Sequence, residues 1–412
     1  MTGTGRPVHA PQTQFPTIDG CLQVGGVALT RLAQRVGATP FYAYDRALIT
    51  ERVAHLRRHL PATLGLHYSI KANPMLAVVQ HLARLVDGLD VASGGELAVA
   101  LDTGVAPARV SFAGPGKGAA ELSQAVAAGV TVNAESVREL TQLAQLGAQL
   151  GVRPRVALRI NPAFELKSSG MRMGGGAKPF GIDAEQAVAA LRQLVSLDLE
   201  FAGLHIFSGS QSLRADAIIE SHAQGVALAL RLTGEAALAL PQLNLGGGFG
   251  IPYFPGEAAL DLAPVGAALA QQLVLLQAGA PGVGCAIELG RYLVGEAGVY
   301  VARVIERKVS RGEVFLVTDG GLHHHLAASG NFGQVIRKNY PVAIGNRMNA
   351  AARETASVVG PLCTPLDLLA DKLELACAEA GDLVVVFQSG AYGLTASPAA
   401  FLGHPAAREV LV

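Results

Sequence analysis

The run Leu66-His67-Tyr68-Ser69-Ile70, followed at once by Lys71 and the break at Ala72-Asn73-Pro74, sets the pattern for the centre of this 412-residue chain. It is short, β-rich and bounded by a turn signal, as is typical of a buried strand. A helical pattern follows over 75–86. Strand and helix patterns alternate in this way to about residue 290, and such alternation implies parallel strands.

Eight strands are predicted in this region. Their cores lie at 66–70, 89–92, 110–113, 131–134, 156–160, 202–207, 243–245 and 286–289. Helical patterns lie between them, for example at 75–86, 95–103, 135–150, 184–197, 215–232 and 262–276. Eight such units in roughly 250 residues match the size of a (β/α)8 TIM barrel. An open, doubly wound parallel sheet is the alternative.

The pattern changes after residue 290. β-rich runs at 299–306, 314–318, 357–359 and 383–387 have few helical patterns between them, which predicts a mostly antiparallel β domain. The run 40–44 also has the pattern of a strand and is expected to join that domain. We therefore predict an N-terminal tail and strand at 1–45, a barrel at 46–290 and a C-terminal β domain at 291–412.

Composition excludes several classes of function. Thirty-two basic residues balance thirty-two acidic ones, so neither nucleic acid nor an anionic membrane is expected as a partner. Mean hydropathy is +0.35, but glutamines interrupt the apolar stretch after Leu262, and no unbroken run reaches the roughly 18 residues of a membrane span. The four cysteines form no C-x-x-C pair, and the first residues lack a secretory pattern. A cytoplasmic protein is expected.

Polar residues gather at the carboxyl ends of the predicted strands, where the active sites of such barrels lie. They are Lys71 after strand one, Asp90 on strand two, Arg159 on strand five, His205 and Ser208 on strand six, the glycine run 246–250 after strand seven, and Glu288 and Arg291 on strand eight. Strand interiors are apolar. This asymmetry predicts the site.

Lys71 stands out among only seven lysines, because it ends a strand. A lysine desolvated at a barrel mouth is suited to Schiff-base chemistry. A surface lysine after a strand is the alternative.

The run 246–250 exposes backbone N–H groups that can surround a phosphate. Its spacing is not G-x-G-x-x-G, which disfavours a dinucleotide, and a flexible turn is the alternative. Ser208 and Arg291 are expected to add a hydroxyl and a guanidinium to the same phosphate.

Two motifs stand out in the C-terminal domain, Gly360-Pro361-Leu362-Cys363 and Gly390-Ala391-Tyr392-Gly393. Cys363 is a candidate proton donor, and a small buried hydrophobe is the alternative. The run His323-His324-His325 suggests a metal, but neighbouring residues on a strand point to opposite faces, so we expect none. A role at the substrate pocket is the alternative.

Together these motifs resemble the fold-type III pyridoxal 5'-phosphate (PLP) decarboxylases, the diaminopimelate and ornithine decarboxylase group. The matching segments run in the family's order from about 40 to 395. They are 67–73, 90–97, 246–248 with 250–253, 288–291, 360–363 and 390–393. The resemblance implies an amino-acid α-decarboxylase that works as a head-to-tail homodimer.

The resemblance also implies roles for individual residues. Lys71 would hold PLP as a Schiff base, His205 would stack on its ring, and Glu288 would keep the pyridine nitrogen protonated so that the ring accepts electrons as CO2 leaves. Phosphate or substrate carboxylate would be bound by Ser208, Gly247, Gly248, Arg291 and Tyr392. Asp90 and Arg159 are expected among the cofactor-binding residues. Cys363 would reach the site of the neighbouring subunit.

Departures from the family pattern concern the substrate. Thr364-Pro365-Leu366-Asp367 follows the cysteine where an acidic residue is usual, and Asp319-Gly320-Gly321-Leu322-His323-His324-His325 replaces the segment that grips diaminopimelate. The variant resembles the exosortase-associated subgroup and decarboxylases of carrier-protein-linked amino acids. Arg291, His324, Thr364 and Tyr392 are the expected substrate residues.

Two alternatives remain at this stage. A racemase on the same barrel would place an arginine at the pyridine nitrogen, and Glu288 argues against it. A non-catalytic PLP-binding protein would resemble a bare barrel, and the residues after 290 argue against that.

Overall fold

The computed structural model describes residues 7–167, 170–334 and 336–412. These residues form two compact units. The barrel unit comprises Arg52–Ile251 and Ala259–Tyr292, and the β unit comprises Met1–Glu51, Pro252–Ala258 and Leu293–Val412. The predicted functional division at 1–45, 46–290 and 291–412 stays a prediction.

The chain begins with the elements β1 Thr17–Ile18, β2 Cys21–Val24, β3 Val27–Ala28, α1 Leu29–Val36, β4 Phe41–Tyr44 and α2 Arg46–His59. Strands β1 to β3 form a small antiparallel sheet. Strand β4 pairs with a long strand of the C-terminal part, as predicted for residues 40–44.

The barrel unit contains eight parallel strands in a closed ring. They are β5 Leu64–Ser69, β6 Gly88–Val91, β7 Val110–Phe112, β8 Thr131–Ala134, β9 Arg155–Asn161, β12 Glu200–Ile206, β14 Gln242–Asn244 and β15 Gly284–Leu289. Each pairs with the next, and β15 pairs with β5. This closure confirms the predicted TIM barrel and excludes the open sheet. Two short pieces, β10 Met171–Arg172 and β13 Gly209–Ser210, pair with each other, and β11 Ile182–Asp183 adds to β9.

Helices follow the barrel strands. They are α3 Leu76–Ala83, α4 Gly94–Asp102, α5 Ala119–Ala128, α6 Val137–Leu150, α7 Ala184–Ser196, α8 Ala215–Ala236 and α9 Leu262–Gly279. Helices α4 and α6 begin at Ser93 and Ser136, whose hydroxyls accept the N–H of Glu96 and Glu139. The carboxylates of both glutamates accept the N–H of the residue before the capping serine, Ala92 and Glu135, and these bonds fix the strand-to-helix turns at the rim.

Helix α9 has 18 residues and a mean hydropathy of 1.3, so by length and composition alone it could span a membrane. The sequence contains no unbroken apolar run long enough to span a membrane, but the glutamines of this helix leave its mean hydropathy high. A test based on unbroken runs alone is therefore stricter than one based on mean hydropathy. The helix buries Leu262, Val265 and Leu269 on one face and lies between β14 and β15 in sequence. We interpret it as an outer helix of the barrel.

The β unit is built on β16 Gly298–Ser310. The other elements after the barrel are α10 Arg291–Val294, β17 Glu313–Thr318, β18 Val342–Ile344, β19 Arg353–Val359, β20 Leu368–Ala376, β21 Leu383–Val386 and β22 Arg408–Leu411. Pairings are mostly antiparallel, as predicted, with β17–β19 and β22–β4 parallel. Its hydrophobic core includes the buried side chains of Phe41, Val299, Val301, Val385 and Phe387.

Candidate active site

A cavity of about 190 Å³ lies at the carboxyl ends of the barrel strands. It brings together five residues predicted from the sequence, namely Lys71, Asp90, Arg159, His205 and Glu288. Apolar side chains complete the wall, including those of Val91, Met173, Phe180 and Phe207. The cavity therefore combines an amine, two acids, an imidazole and a guanidinium.

Lys71 lies in a single 3-10 turn, Ile70–Ala72, directly after β5. The strand ends at Ser69, so the prediction that Lys71 is the last strand residue was off by one turn. Its side chain is exposed, and Nζ lies 5.7 Å from the centre of the Phe207 ring. The Schiff-base role predicted for Lys71 stays a prediction.

Glu288 and His205 form a buried pair. Oε2 of Glu288 lies 3.2 Å from Nε2 of His205, at ion-pair distance without hydrogen-bond alignment, and Nδ2 of Asn244 donates to the same oxygen at 3.1 Å. Burial would raise the pKa of Glu288, but the charges of His205, Lys71 and Arg159 hold it well below its usual range. Glu288 is therefore an anion at neutral pH.

Asp90 presents one satisfied and one unsatisfied oxygen. Oδ1 accepts the hydroxyl of Ser111 and lies 3.5 Å from Nδ1 of His67. Oδ2 is buried without a hydrogen-bond partner. A buried carboxylate oxygen is costly to leave unpaired, so Oδ2 is available to a ligand of the cavity.

Arg159 reaches the cavity from the middle of β9. Its Nη1 donates to Oε1 of Glu135 at 2.9 Å, and its guanidinium lies 5.0 Å from the centre of the Phe180 ring. Ion pairing and stacking fix the orientation of the guanidinium.

The glycine run follows β14. Gly246 and Gly248 have φ of +65° and +84°, a conformation that favours glycine. A Cβ on Gly247 would lie 2.0 Å from the carbonyl oxygen of Glu288. Glycine is thus required sterically at this position, and the loop is tightly packed there, which disfavours the alternative of a flexible turn.

Ser208 and Arg291 belong to the barrel unit but do not line the cavity. Ser208 is buried after β12, and its carbonyl oxygen accepts N–H groups of Met173 and Gly174 at 3.2 and 3.1 Å. Arg291 is half-buried at the start of α10. The roles predicted for these residues, and for Gly247 and Gly248, stay predictions.

Cys363, Thr364 and Tyr392 belong to the β unit. Cys363 is a free, exposed thiol on a turn, which excludes the alternative of a small buried hydrophobe. Thr364 and Tyr392 are half-buried, and Tyr392 has φ of +53°. The predicted proton transfer and substrate contacts stay predictions.

The three histidines lie in a turn, so the expectation that they occupy a strand was wrong. His324 is fully buried, with Nε2 2.8 Å from the carbonyl oxygen of Pro405 and Nδ1 3.3 Å from the Tyr300 hydroxyl. His325 Nε2 lies 2.9 Å from Oγ of Ser389. These contacts hold the β unit together, and nothing in them supports the predicted substrate contact of His324. Within the described ranges no cluster of three or more histidine, cysteine or acidic side chains is arranged to hold a metal ion.

Residues 46–295 match the family of pyridoxal-dependent decarboxylases, at its pyridoxal binding domain. The chain belongs to this family. It is 40% identical over 393 residues to the L-glutamyl-BtrI acyl-carrier-protein decarboxylase of Niallia circulans, covering 93% of this chain and 90% of that protein. It is 33% identical to the diaminopimelate decarboxylase of Aquifex aeolicus, covering 96% and 91%. The solved diaminopimelate decarboxylase from M. jannaschi superposes with a TM-score of 0.88 at 25% identity, covering 97% and 93%.

The pocket of this PLP-dependent decarboxylase fits its cofactor. It offers a lysine amine, a buried anion at Glu288, an unpaired oxygen on Asp90 and two ring nitrogens of His205 without hydrogen-bond alignment. A ligand with an aldehyde for the Lys71 amine and a protonated ring nitrogen for the Glu288 carboxylate matches these groups.

When bound, PLP supplies an electron-accepting ring for the electron pair that remains as CO2 departs. Lys71 would provide the amine that holds the cofactor. Glu288 would hold a proton on the ring nitrogen, because it is anionic and fixed by Asn244. The apolar side chains of Phe207 and Phe180 line the cavity and would limit water around a bound ligand.

Sequence reasoning missed Asn244 and Glu135. Asn244 is the last residue of β14, and Glu135 directly follows β8. The rule that polar residues at strand ends form the site would have found both, had it been applied to the ends of strands four and seven.

Proposed function

We propose that this decarboxylase acts on an amino acid attached to a carrier protein. The observation that carries the proposal is the 40% identity to a glutamyl-carrier-protein decarboxylase over 93% of the chain, against 33% to a diaminopimelate decarboxylase. The segment after β17 supports it, because His324 and His325 fill that position with contacts inside the β unit.

A substrate comparison tests this proposal. Purified enzyme is incubated with a glutamyl-loaded carrier protein, glutamyl-pantetheine, free glutamate, lysine and diaminopimelate, and CO2 release is measured together with the mass of the carrier. We expect kcat/KM to be highest with the loaded carrier. Equal or higher values for free diaminopimelate would contradict the proposal, and equal values for glutamyl-pantetheine would show that the arm, not the carrier, is recognised.

We further propose a homodimer with shared sites, as the resemblance implies. Cys363 stands exposed on a turn of the β unit. Leu366, three residues on, is 59% exposed, and Phe332, next to Asn331 in sequence, is 43% exposed. Asn331 Nδ2 donates to the Leu366 carbonyl oxygen at 3.3 Å, which ties the Phe332 loop to the Cys363 turn. An exposed apolar surface of this kind favours an interface.

Mixing of inactive variants tests the shared site. Lys71→Ala removes the cofactor amine, and Cys363→Ala removes the thiol. If each site takes Lys71 from one subunit and Cys363 from the other, the mixture regains up to about a quarter of wild-type activity, because half of the dimers have one intact site. No recovery in a mixture shown to exchange subunits would rule the shared site out.

A cytoplasmic location and an association with an exosortase system remain part of the proposal. Four free cysteines support a reducing compartment.

A further inference from the structure

Lys117 is a second lysine of the barrel unit, and its side chain is only 1% exposed. Its Nζ donates to the carbonyl oxygens of Gly114 at 2.6 Å and Asn133 at 3.0 Å. It also lies 2.9 Å from Oε1 of Glu139. A lysine this deeply buried needs such partners, because burial of an unpaired ammonium is very costly.

Glu139 connects Lys117 to Glu135, the residue that follows strand β8. Its Oε2 accepts the backbone N–H of Glu135 at 2.6 Å. The ion pair with Lys117 and the hydrogen bond from Glu135 thus meet in one carboxylate, which fixes the backbone of Glu135.

Glu135 in turn holds three groups. Oε1 accepts Nη1 of Arg159 at 2.9 Å and the N–H of Gly114 at 2.6 Å, and Oε2 accepts the N–H of Gly181 at 2.9 Å. Burial would raise the pKa of Glu135, but Arg159, the Gly181 N–H and Lys117 hold it below its usual value. Arg159 and Gly114 both line the cofactor cavity, and Gly181 follows Phe180, which also lines it.

The stability of the fold does not by itself explain the buried ion pairs Lys117–Glu139 and Arg159–Glu135. Well-packed apolar side chains of similar volume often stabilise a fold equally well. We propose that Lys117 and Glu139 are positioning residues, which act through Glu135 to hold the guanidinium of Arg159 in the place that PLP binding requires. Lys117 does not line the cavity. It supports the residues of the cavity wall through Glu139 and Glu135.

A double-mutant cycle on cofactor affinity tests the inference. PLP is titrated into the cofactor-free full chain of wild type, Lys117→Met, Arg159→Lys and the double variant, and binding is followed by visible absorbance. We expect Lys117→Met and Arg159→Lys each to weaken PLP binding by roughly tenfold, and the double variant to bind no more weakly than Arg159→Lys. Lys167→Met is the matched control, since that lysine is 67% exposed and pairs with Glu220, and its PLP affinity should equal that of wild type.

The cycle separates positioning from general loosening of the fold. A Lys117 that only stabilises the barrel would lower the unfolding temperature, and its effect on PLP affinity would multiply with that of Arg159→Lys. Multiplicative effects, or an unchanged affinity in Lys117→Met or in Arg159→Lys, would overturn the inference. If Lys117→Met does not fold by circular dichroism, Glu139→Gln replaces it in the same cycle, because the amide keeps the side-chain shape but loses the charge that Lys117 requires.

Discussion

Nε2 of His205 lies 3.2 Å from Oε2 of Glu288 in the buried floor of the cofactor cavity. Two residues from different strands, far apart in sequence, thereby form one charged pair. Because Asn244 holds the same carboxylate oxygen, Glu288 is fixed as an anion before any ligand arrives. The negative charge of Glu288 is therefore the property whose effect on catalysis is tested first.

Glu288→Gln is expected to retain PLP but to slow decarboxylation by about 10²-fold, the size of losing one fixed electrostatic stabiliser. The amide keeps the shape and the contact with Asn244 but cannot hold a proton on the ring nitrogen. Absorbance measures the bound cofactor, and CO2 release measures kcat. Glu185→Gln, an exposed position at the start of α7, is the control. Wild-type kcat in Glu288→Gln would refute the assigned role.

Gly247→Ala is expected to destabilise the protein by about 1–3 kcal/mol and to weaken PLP binding. The added methyl would lie 2.0 Å from the Glu288 carbonyl oxygen, so the loop or β15 must shift. Gly116→Ala provides the comparison, because a Cβ there meets no atom within 4 Å. Chemical denaturation with and without PLP measures both effects. Equal stability of the two variants would show that the loop tolerates the methyl.

His222 predicts a pH dependence of stability. It is fully buried, its ring nitrogens have no partner, and burial lowers its pKa from 6.5 to about 4. The folded state therefore binds this proton more weakly than the unfolded state. The stabilising effect is complete above pH 6.5 and is lost as the pH falls toward 4, at about 1.4 kcal/mol per pH unit.

His222→Leu should flatten this slope, since leucine packs against Phe249 without titrating. Unfolding midpoints in urea between pH 7 and pH 4 give the measurement. The exposed His59, changed to leucine, should leave the slope as in wild type. An unaltered slope in His222→Leu would mean that other groups govern acid unfolding.

The contacts of Asp367 predict that the stability of the β unit and the reactivity of the Cys363 thiol change together. Its carboxylate accepts the N–H groups of Leu322 at 2.6 Å and Leu362 at 2.8 Å, so it fastens the Cys363 turn. Asp367→Asn leaves one buried donor unpaired, at about 1–3 kcal/mol. We expect faster alkylation of Cys363 and a lower unfolding temperature. The exposed Asp371, changed to asparagine, should show neither effect.

Local sequence patterns determined a large part of this protein. Alternating strand and helix signals predicted eight parallel strands covered by helices, the size of a (β/α)8 barrel, and the structure then excluded the open-sheet alternative. The same patterns placed Lys71, Asp90, Arg159, His205 and Glu288 at one rim, and the cavity contains all five. These features follow from periodicity, which the order of residues specifies directly.

Only the tertiary structure decided how the site residues meet. The contact of His205 with Glu288, the unpaired oxygen of Asp90 and the network behind Arg159 join residues from different strands. The turn at His323-His324-His325 was mistaken for a strand because a run of identical residues has no periodicity to read. Sequence order fixes which residues reach the rim, whereas their distances and charges depend on closure of the ring, which no local pattern encodes.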